Sequence, residues 1–345
     1  MQTILKNLKE RYEAFKAAHP KARIREAAKQ LGVSEAELVA CGIGETAIRL
    51  QGDFREILKQ VPSLGYVMAL TRNDHAVHER KGVYEKVSFN DHVGLVLGED
   101  IDLRLFMMHW AFGFAVNENE RLSLQFFDKS GEAVHKIYLT EKSDREAFEE
   151  LVEKYRAADS YAPMEISPYP APEAPQPDAT IDLVGFRQAW LNMKDTHEFF
   201  GILKKYKVSR TQGLRLAPEG YAWEISFEQV GRVFRSAAEQ HCPIMIFAGN
   251  RGCIQIHTGF VRNIVPMNGW FNVLDPEFNL HLKDQAVTSA WVVLKPTEDG
   301  IVTGIELYDS AGQNILLMFG KRKPGIPEQQ LWREIVAQEA QPLYA

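Results

Sequence analysis

Apolar positions along the chain follow two periods. Near the start, Ile4, Leu8, Tyr12 and Phe15 recur at helical spacing among charged residues, which predicts an amphipathic helix. Farther on, Ile101-Asp102-Leu103-Arg104-Leu105-Phe106 alternates, so a strand would send Ile101, Leu103 and Leu105 to one face and Asp102, Arg104 and Phe106 to the other. The stretch after Lys295 contains Asp299-Gly300 between apolar runs and predicts a hairpin. Helices followed by antiparallel strands, in that order, point to an α+β fold.

The pattern is written twice. Val67-Met68-Ala69-Leu70-Thr71-Arg72-Asn73 returns 177 positions later as Ile244-Met245-Ile246-Phe247-Ala248-Gly249-Asn250, and at that offset Gly82 falls on Gly259 and Leu103 and Leu105 on Leu280 and Leu282. Leu124-Gln125-Phe126-Phe127-Asp128-Lys129-Ser130-Gly131 is echoed by Ile305-Glu306-Leu307-Tyr308-Asp309-Ser310-Ala311-Gly312. Solenoid units run about 20–50 residues, so this period implies two diverged copies of one domain. Pro163, Pro168, Pro170, Pro172, Pro175 and Pro177 mark a stiff connector that sustains neither helix nor ladder. The expected division is an N-terminal domain over 1–160, a linker over 161–178 and a C-terminal domain over 179–345.

Composition removes several classes. No run approaches the roughly 18 apolar residues of a membrane helix, and the charged opening segment contains no signal-like hydrophobic stretch, so a cytoplasmic protein without membrane insertion is expected. Cys41, Cys242 and Cys253 form neither CxxC nor a zinc spacing. The net charge of -6 offers no general attraction to nucleic acid. Residues 27–38 have the outline of a helix-turn-helix, with Ser34 and Glu37 as a capping box, but Glu35 and Glu37 in the would-be recognition turn would be repelled by phosphates. A helical hairpin packed on the sheet is the expected reading.

Function is best sought where the copies differ. The strand that carries Asp102, Arg104 and Phe106 has a counterpart carrying Asn279, His281 and Lys283 on the equivalent face. In Lys194-Asp195-Thr196-His197-Glu198-Phe199-Phe200-Gly201, Asp195 and Glu198 are spaced as a capping box, which would put His197 in the first turn of a helix. Neither HExxH nor a two-His-one-carboxylate spacing is visible, so a single imidazole must bind something that brings its own ligands. Haem does so.

The chain resembles the cytoplasmic haemin-degrading, haem-trafficking proteins of the HemS/ChuS type. The resemblance rests on Arg72-Asn73-Asp74-His75-Ala76-Val77-His78-Glu79, Asp102-Leu103-Arg104-Leu105-Phe106, Asp195-Thr196-His197-Glu198-Phe199-Phe200, Gly249-Asn250-Arg251-Gly252-Cys253, Val265-Pro266-Met267-Asn268-Gly269-Trp270 and Lys295-Pro296-Thr297-Glu298-Asp299-Gly300. It covers almost the whole chain. It implies a duplicated α+β fold, each half a large antiparallel sheet with packed helices, and one principal non-covalent haem b held between helices and the sheet of the C-terminal half. His197 matches the proximal iron ligand, and Arg104 the distal arginine that would act in catalysis. Phe106, Met245, Phe247 and Phe319 match residues that line the porphyrin, and Arg210, Lys295 and Arg322 the polar groups at its rim. Where relatives often read Gln-Leu-Tyr-Gly-Gln-Arg, this chain has Leu317-Met318-Phe319-Gly320-Lys321-Arg322, which removes an amide and a phenol.

Two functions fit these residues. One is oxidative opening of the haem ring with iron release, driven by a reductant and O2 or by peroxide. The other is a carrier that takes haem from the cytoplasmic side of a haem ABC transporter and hands it to a separate haem oxygenase. His78, His92 and His109 compete with His197 as ligands, and His78 is either a surface strand residue or the holder of a second, weaker haem.

Overall fold

The computed structural model describes residues 2–323 and 325–343. It divides into two compact units. Unit 1 comprises Met1–Arg72, Glu79–Pro170 and Gly249–Gln255, and unit 2 comprises Asn73–His78, Ala171–Ala248 and Ile256–Ala345. The short segments that depart from chain order are matched by the repeat, since His78 and Gln255 are equivalent positions.

In unit 1 three helices, Gln2–Ala18, Ile24–Leu31 and Glu35–Ala40, precede the sheet. Leu5 and Leu8 of the first are buried, as the helical spacing requires. Five antiparallel strands then follow in the spatial order Ala47–Leu50, Phe112–Glu118, Arg121–Phe127, Ala133–Ser143 and Gly65–Arg72. The strand Asp102–Leu105 pairs with Gly94–Leu97 in the same unit. Its Leu103 and Leu105 are fully buried, whereas Asp102 and Arg104 are half-buried, so the alternation read from the sequence holds.

The helical hairpin lies on this sheet. Ser34 accepts from the Glu37 backbone N–H, and the Glu37 carboxylate accepts from the Ser34 N–H, completing the box. Glu35, in the same turn, is buried in an ion pair with Lys136 of the strand Ala133–Ser143. Burial would raise the Glu35 carboxyl, but the ammonium outweighs it and holds the group below the usual carboxylate range. The first turn of this helix therefore faces the protein core.

Unit 2 repeats the plan. The strands Ala222–Ile225, Ser289–Thr297, Gly300–Tyr308, Asn314–Gly320 and Ile244–Gly249 stand in the same spatial order as their counterparts in unit 1. The hairpin expected after Lys295 is present, with Thr297 paired to Gly300, and Gly300 adopts a φ of 109° that a side chain would resist. Phe227–Glu239 and Gln330–Glu339 pack on one face, where Val233, Phe234, Trp332 and Ile335 are fully buried. The segment Asn73–His78 is built into this unit: Asn73 Nδ2 donates to the Ile315 carbonyl at 2.9 Å, and the His75 carbonyl accepts from the Lys283 N–H at 2.8 Å. Residues 163–177 form neither helix nor strand. Among the described residues no helix is long and apolar enough to cross a membrane.

Unit 1 also buries a neutral polar network. His135 is 1% exposed, with Nδ1 2.8 Å from Thr71 Oγ1 and Nε2 2.6 Å from Tyr84 Oη. Burial lowers its pKa to about 3, so the folded ring stays neutral where an unfolded histidine, with a pKa near 6.5, takes a proton. The unfolded chain binds more protons between these values, so stability is full above about pH 6.5 and declines as the pH falls. From pH 6.5 to 5 this one group should cost roughly 2 kcal/mol. Urea unfolding at the two pH values checks it, and His135→Gln should flatten the pH slope; equal slopes in both proteins would contradict the assignment.

Candidate functional site

The region around His197 is built on the helix Glu198–Tyr206 in unit 2. Phe199 and Leu203 are buried, and Ile202 and Tyr206 partly so, while His197, Phe200, Gly201 and Lys204 are exposed on the other side. This places His197, Phe200 and Gly201 at i, i+3 and i+4, one turn of one exposed face. The His197 side chain is 94% exposed. Phe200, an aromatic that would ordinarily be covered, is 71% exposed. A Cβ added to Gly201 would meet no protein atom within 4 Å. A helix-interior glycine costs about 1 kcal/mol relative to alanine, and no neighbour within this chain demands it.

The start of this helix differs from the expected capping box. His197 itself is the N-cap, with no side-chain cap bond, and lies before the first turn. Asp195 is drawn away from the helix amides because its Oδ1 accepts from the His197 backbone N–H at 2.7 Å and sits 2.6 Å from His197 Nδ1. A carboxylate two residues upstream can close a local turn more readily than it can reach the third helical amide.

Beneath the helix lies a buried charged cluster. Arg210 donates from Nε and Nη2 to the two oxygens of Glu306, both at 2.8 Å, and from Nε to Tyr308 Oη at 2.8 Å. Lys295 Nζ donates to Glu306 Oε1 at 2.6 Å, and Tyr308 Oη bonds the other carboxylate oxygen. Lys295 and Glu306 side chains are 4% and 0% exposed. Phe199 packs against both cations, 4.6 Å from Lys295 Nζ and 5.5 Å from the Arg210 guanidinium carbon. Burial alone would push the Glu306 carboxyl up, but Arg210 and Lys295 hold it far below the carboxylate range. Burial, reinforced by Arg210, lowers Lys295 despite Glu306. Two cations share one carboxylate, which leaves an excess of positive charge that an incoming anion would relieve.

The other expected residues of unit 2 fall into two groups. Met245 and Phe247 are half-buried on one face of Ile244–Gly249, between the buried Ile244, Ile246 and Ala248. Phe319 is the cross-strand partner of Met245, and its ring meets that of Phe247 at 5.4 Å, edge to face. The Phe319 ring lies over Gly304, where an added Cβ would stand 2.6 Å from it. Arg322 pairs with Asp299 at 3.6 Å and contributes to holding Asp195 ionised.

In unit 1, Arg104 donates from Nη1 to Asp102 and to the Leu103 carbonyl. Phe106 lies one residue beyond its strand and opens the short turn Met107–His109, with its N–H on the Gly252 carbonyl at 2.9 Å. It stays half-buried but does not continue the strand backbone. Of the competing histidines, His92 is exposed, and His109 Nδ1 lies 3.3 Å from Tyr169 Oη. His78 is 0% exposed and packs against the Phe278 ring, which corrects the surface reading. Among the described residues no group of three His, Cys, Asp or Glu side chains could hold a metal ion.

Glu306, Tyr308 and Gly201 were not picked out as site residues from the sequence. The repeat carried a signal for two of them, because Glu306 and Tyr308 stand where the first copy has Gln125 and Phe127. A neutral pair in one copy and an ionisable pair in the other marks divergence at that face.

Fold and site together define a duplicated α+β protein whose second unit sets one open imidazole above a buried, cation-rich cluster. The chain belongs to the HemS family: the haemin-degrading HemS.ChuX domain matches residues 32–155 and again residues 207–338. It is 40% identical to the hemin transport protein HmuS of Yersinia pestis, over 96% of each chain. Among solved structures, it is similar to the heme-binding protein PhuS of Pseudomonas aeruginosa in its holo form, at 46% identity and a TM-score of 0.94, over 96% of this chain and 97% of that one. It is also similar to ChuS, an E. coli heme oxygenase, at 36% identity and a TM-score of 0.88, over 97% and 100%.

Proposed function

We propose that this protein binds haem b non-covalently through His197 and opens the ring oxidatively, releasing iron. The observation that carries the reading is the exposed turn of His197, Phe200 and Gly201. One ring nitrogen of His197 is tied to Asp195, its other nitrogen is open, and an uncovered aromatic and an unfilled glycine flank it. A flat apolar ligand with its own four equatorial nitrogens suits such a face, because a single imidazole completes its coordination. The charged cluster supports the same ligand, since propionates would meet the excess positive charge around Arg210 and Lys295.

Met245, Phe247 and Phe319 are proposed to line the porphyrin, and Arg322 to act near a propionate. Arg104 is the proposed catalytic residue. Its guanidinium is a planar fork of donors that could hydrogen-bond an oxygen-bearing co-reactant. Bound haem would supply a redox-active iron, with a reductant and O2, or peroxide, as co-reactants. The relatives support both outcomes, one being a heme oxygenase and another a hemin transport protein.

The exposure of His197 favours a second reading, that of a carrier. An open ligand is accessible to an acceptor, so haem drawn from a transporter in the membrane could pass to a separate oxygenase.

The test is anaerobic loading of the full chain with haem, followed by reductant and oxygen with catalase present, alongside Arg104→Ala. Stoichiometric loss of the Soret band with iron release is expected, and Arg104→Ala should slow it by roughly 100-fold while retaining the proximal bond. A stable spectrum with rapid transfer to an oxygenase would replace degradation by carriage.

A further inference from the structure

Asp195 makes two bonds to one residue. Its Oδ1 accepts the His197 backbone N–H at 2.7 Å and lies 2.6 Å from His197 Nδ1. The first bond fixes the backbone turn, and the second fixes the rotation of the ring. Because a carboxylate can only accept, a proton belongs on Nδ1, which leaves Nε2 as the nitrogen that could bind iron. The turn is tightened by the Asp195 carbonyl, which accepts the Glu198 N–H at 3.1 Å. Arg322 adds positive charge nearby and is itself held by Asp299 at 3.6 Å.

Resting on the haem-binding reading, we propose that Asp195 is a positioning residue that presents Nε2 of His197 to iron and tunes the metal through the Nδ1–H bond. An anionic acceptor on the far nitrogen makes imidazole a stronger electron donor. A stronger donor favours ferric over ferrous iron, so Asp195 lowers the reduction potential of bound haem. The sequence spacing alone suggests a helix cap for this residue, and the observed geometry gives it a different task.

Asp195→Asn separates tuning from shape. Asparagine retains an oxygen that can accept the backbone N–H and preserve the turn, but it carries no charge. The full-length variant should melt like wild type without haem and still give a histidine-ligated haem spectrum. Its ferrous iron–imidazole stretch should move to lower frequency, its potential should rise, and its haem affinity should fall about 10- to 100-fold. Asp195→Ala should exceed these changes, and Asp195→Glu should restore part of them. An Asp195→Asn protein with wild-type stretch and potential would overturn the proposal and leave Asp195 a turn residue only. His197→Ala, run beside it, reports on the parent reading: a wild-type haem spectrum there would remove His197 as ligand and this inference with it.

Discussion

His197→Ala should abolish the histidine-ligated haem spectrum and lower haem affinity by on the order of 100-fold or more, since removing the ligand exceeds the loss of a residue that only supports it. The apo protein should be nearly unaffected. The side chain is 94% exposed and makes no cap bond, so its removal belongs with surface substitutions that change stability by about 0.5 kcal/mol or less. Haem titration and a thermal melt of the same sample separate the two effects. An unchanged Soret position and affinity would eliminate His197, leaving His109 as the half-buried competitor and His78 as the buried one.

Glu306→Ala should be the most damaging single change to unit 2. Truncation leaves Arg210 and Lys295 facing each other without their shared carboxylate, and breaking a buried pair from one side costs about 3–5 kcal/mol. Burial already works against the Lys295 charge, so the lysine would give up its proton more readily in the variant. Glu306→Gln keeps the shape and loses the charge, and should fall between wild type and alanine. Urea unfolding measures the loss; a cost below about 1 kcal/mol for Glu306→Ala would show that the cations find compensation elsewhere.

Periodicity and self-similarity made much of this legible. The doubled α+β plan, the helical hairpin with its Ser34–Glu37 box, and the alternation of Leu103 and Leu105 against Arg104 follow from local rules of spacing and capping. His197 was legible only as one histidine within a motif. Its exposed setting and its bond to Asp195 depend on the competition between a local turn and a cap, and spacing alone does not decide that. Arg210 and Lys295 read as rim cations, yet each is bound to Glu306, 96 and 11 positions away, Arg210 from a helix and Lys295 from the neighbouring strand, which no short motif records. His78 was misjudged because the alternation of a strand does not say which face will be covered.

The exchanged segments bear on how such a chain can be made. Gly249–Gln255 belongs to unit 1, where Asn250 Nδ2 donates to the Arg72 and Val134 carbonyls and the Gly252 carbonyl accepts from Trp110 Nε1. A ribosome that has finished the first repeat and the proline-rich connector has not yet delivered those residues. Unit 1 must therefore wait, incomplete, until well into translation of the second repeat, and a fragment starting at residue 179 would lack the Asn73–His78 segment that unit 2 requires. Folding of unit 1 therefore cannot be completed in the order of synthesis, and its growing intermediate leaves backbone unpaired where Gly249–Gln255 will bind.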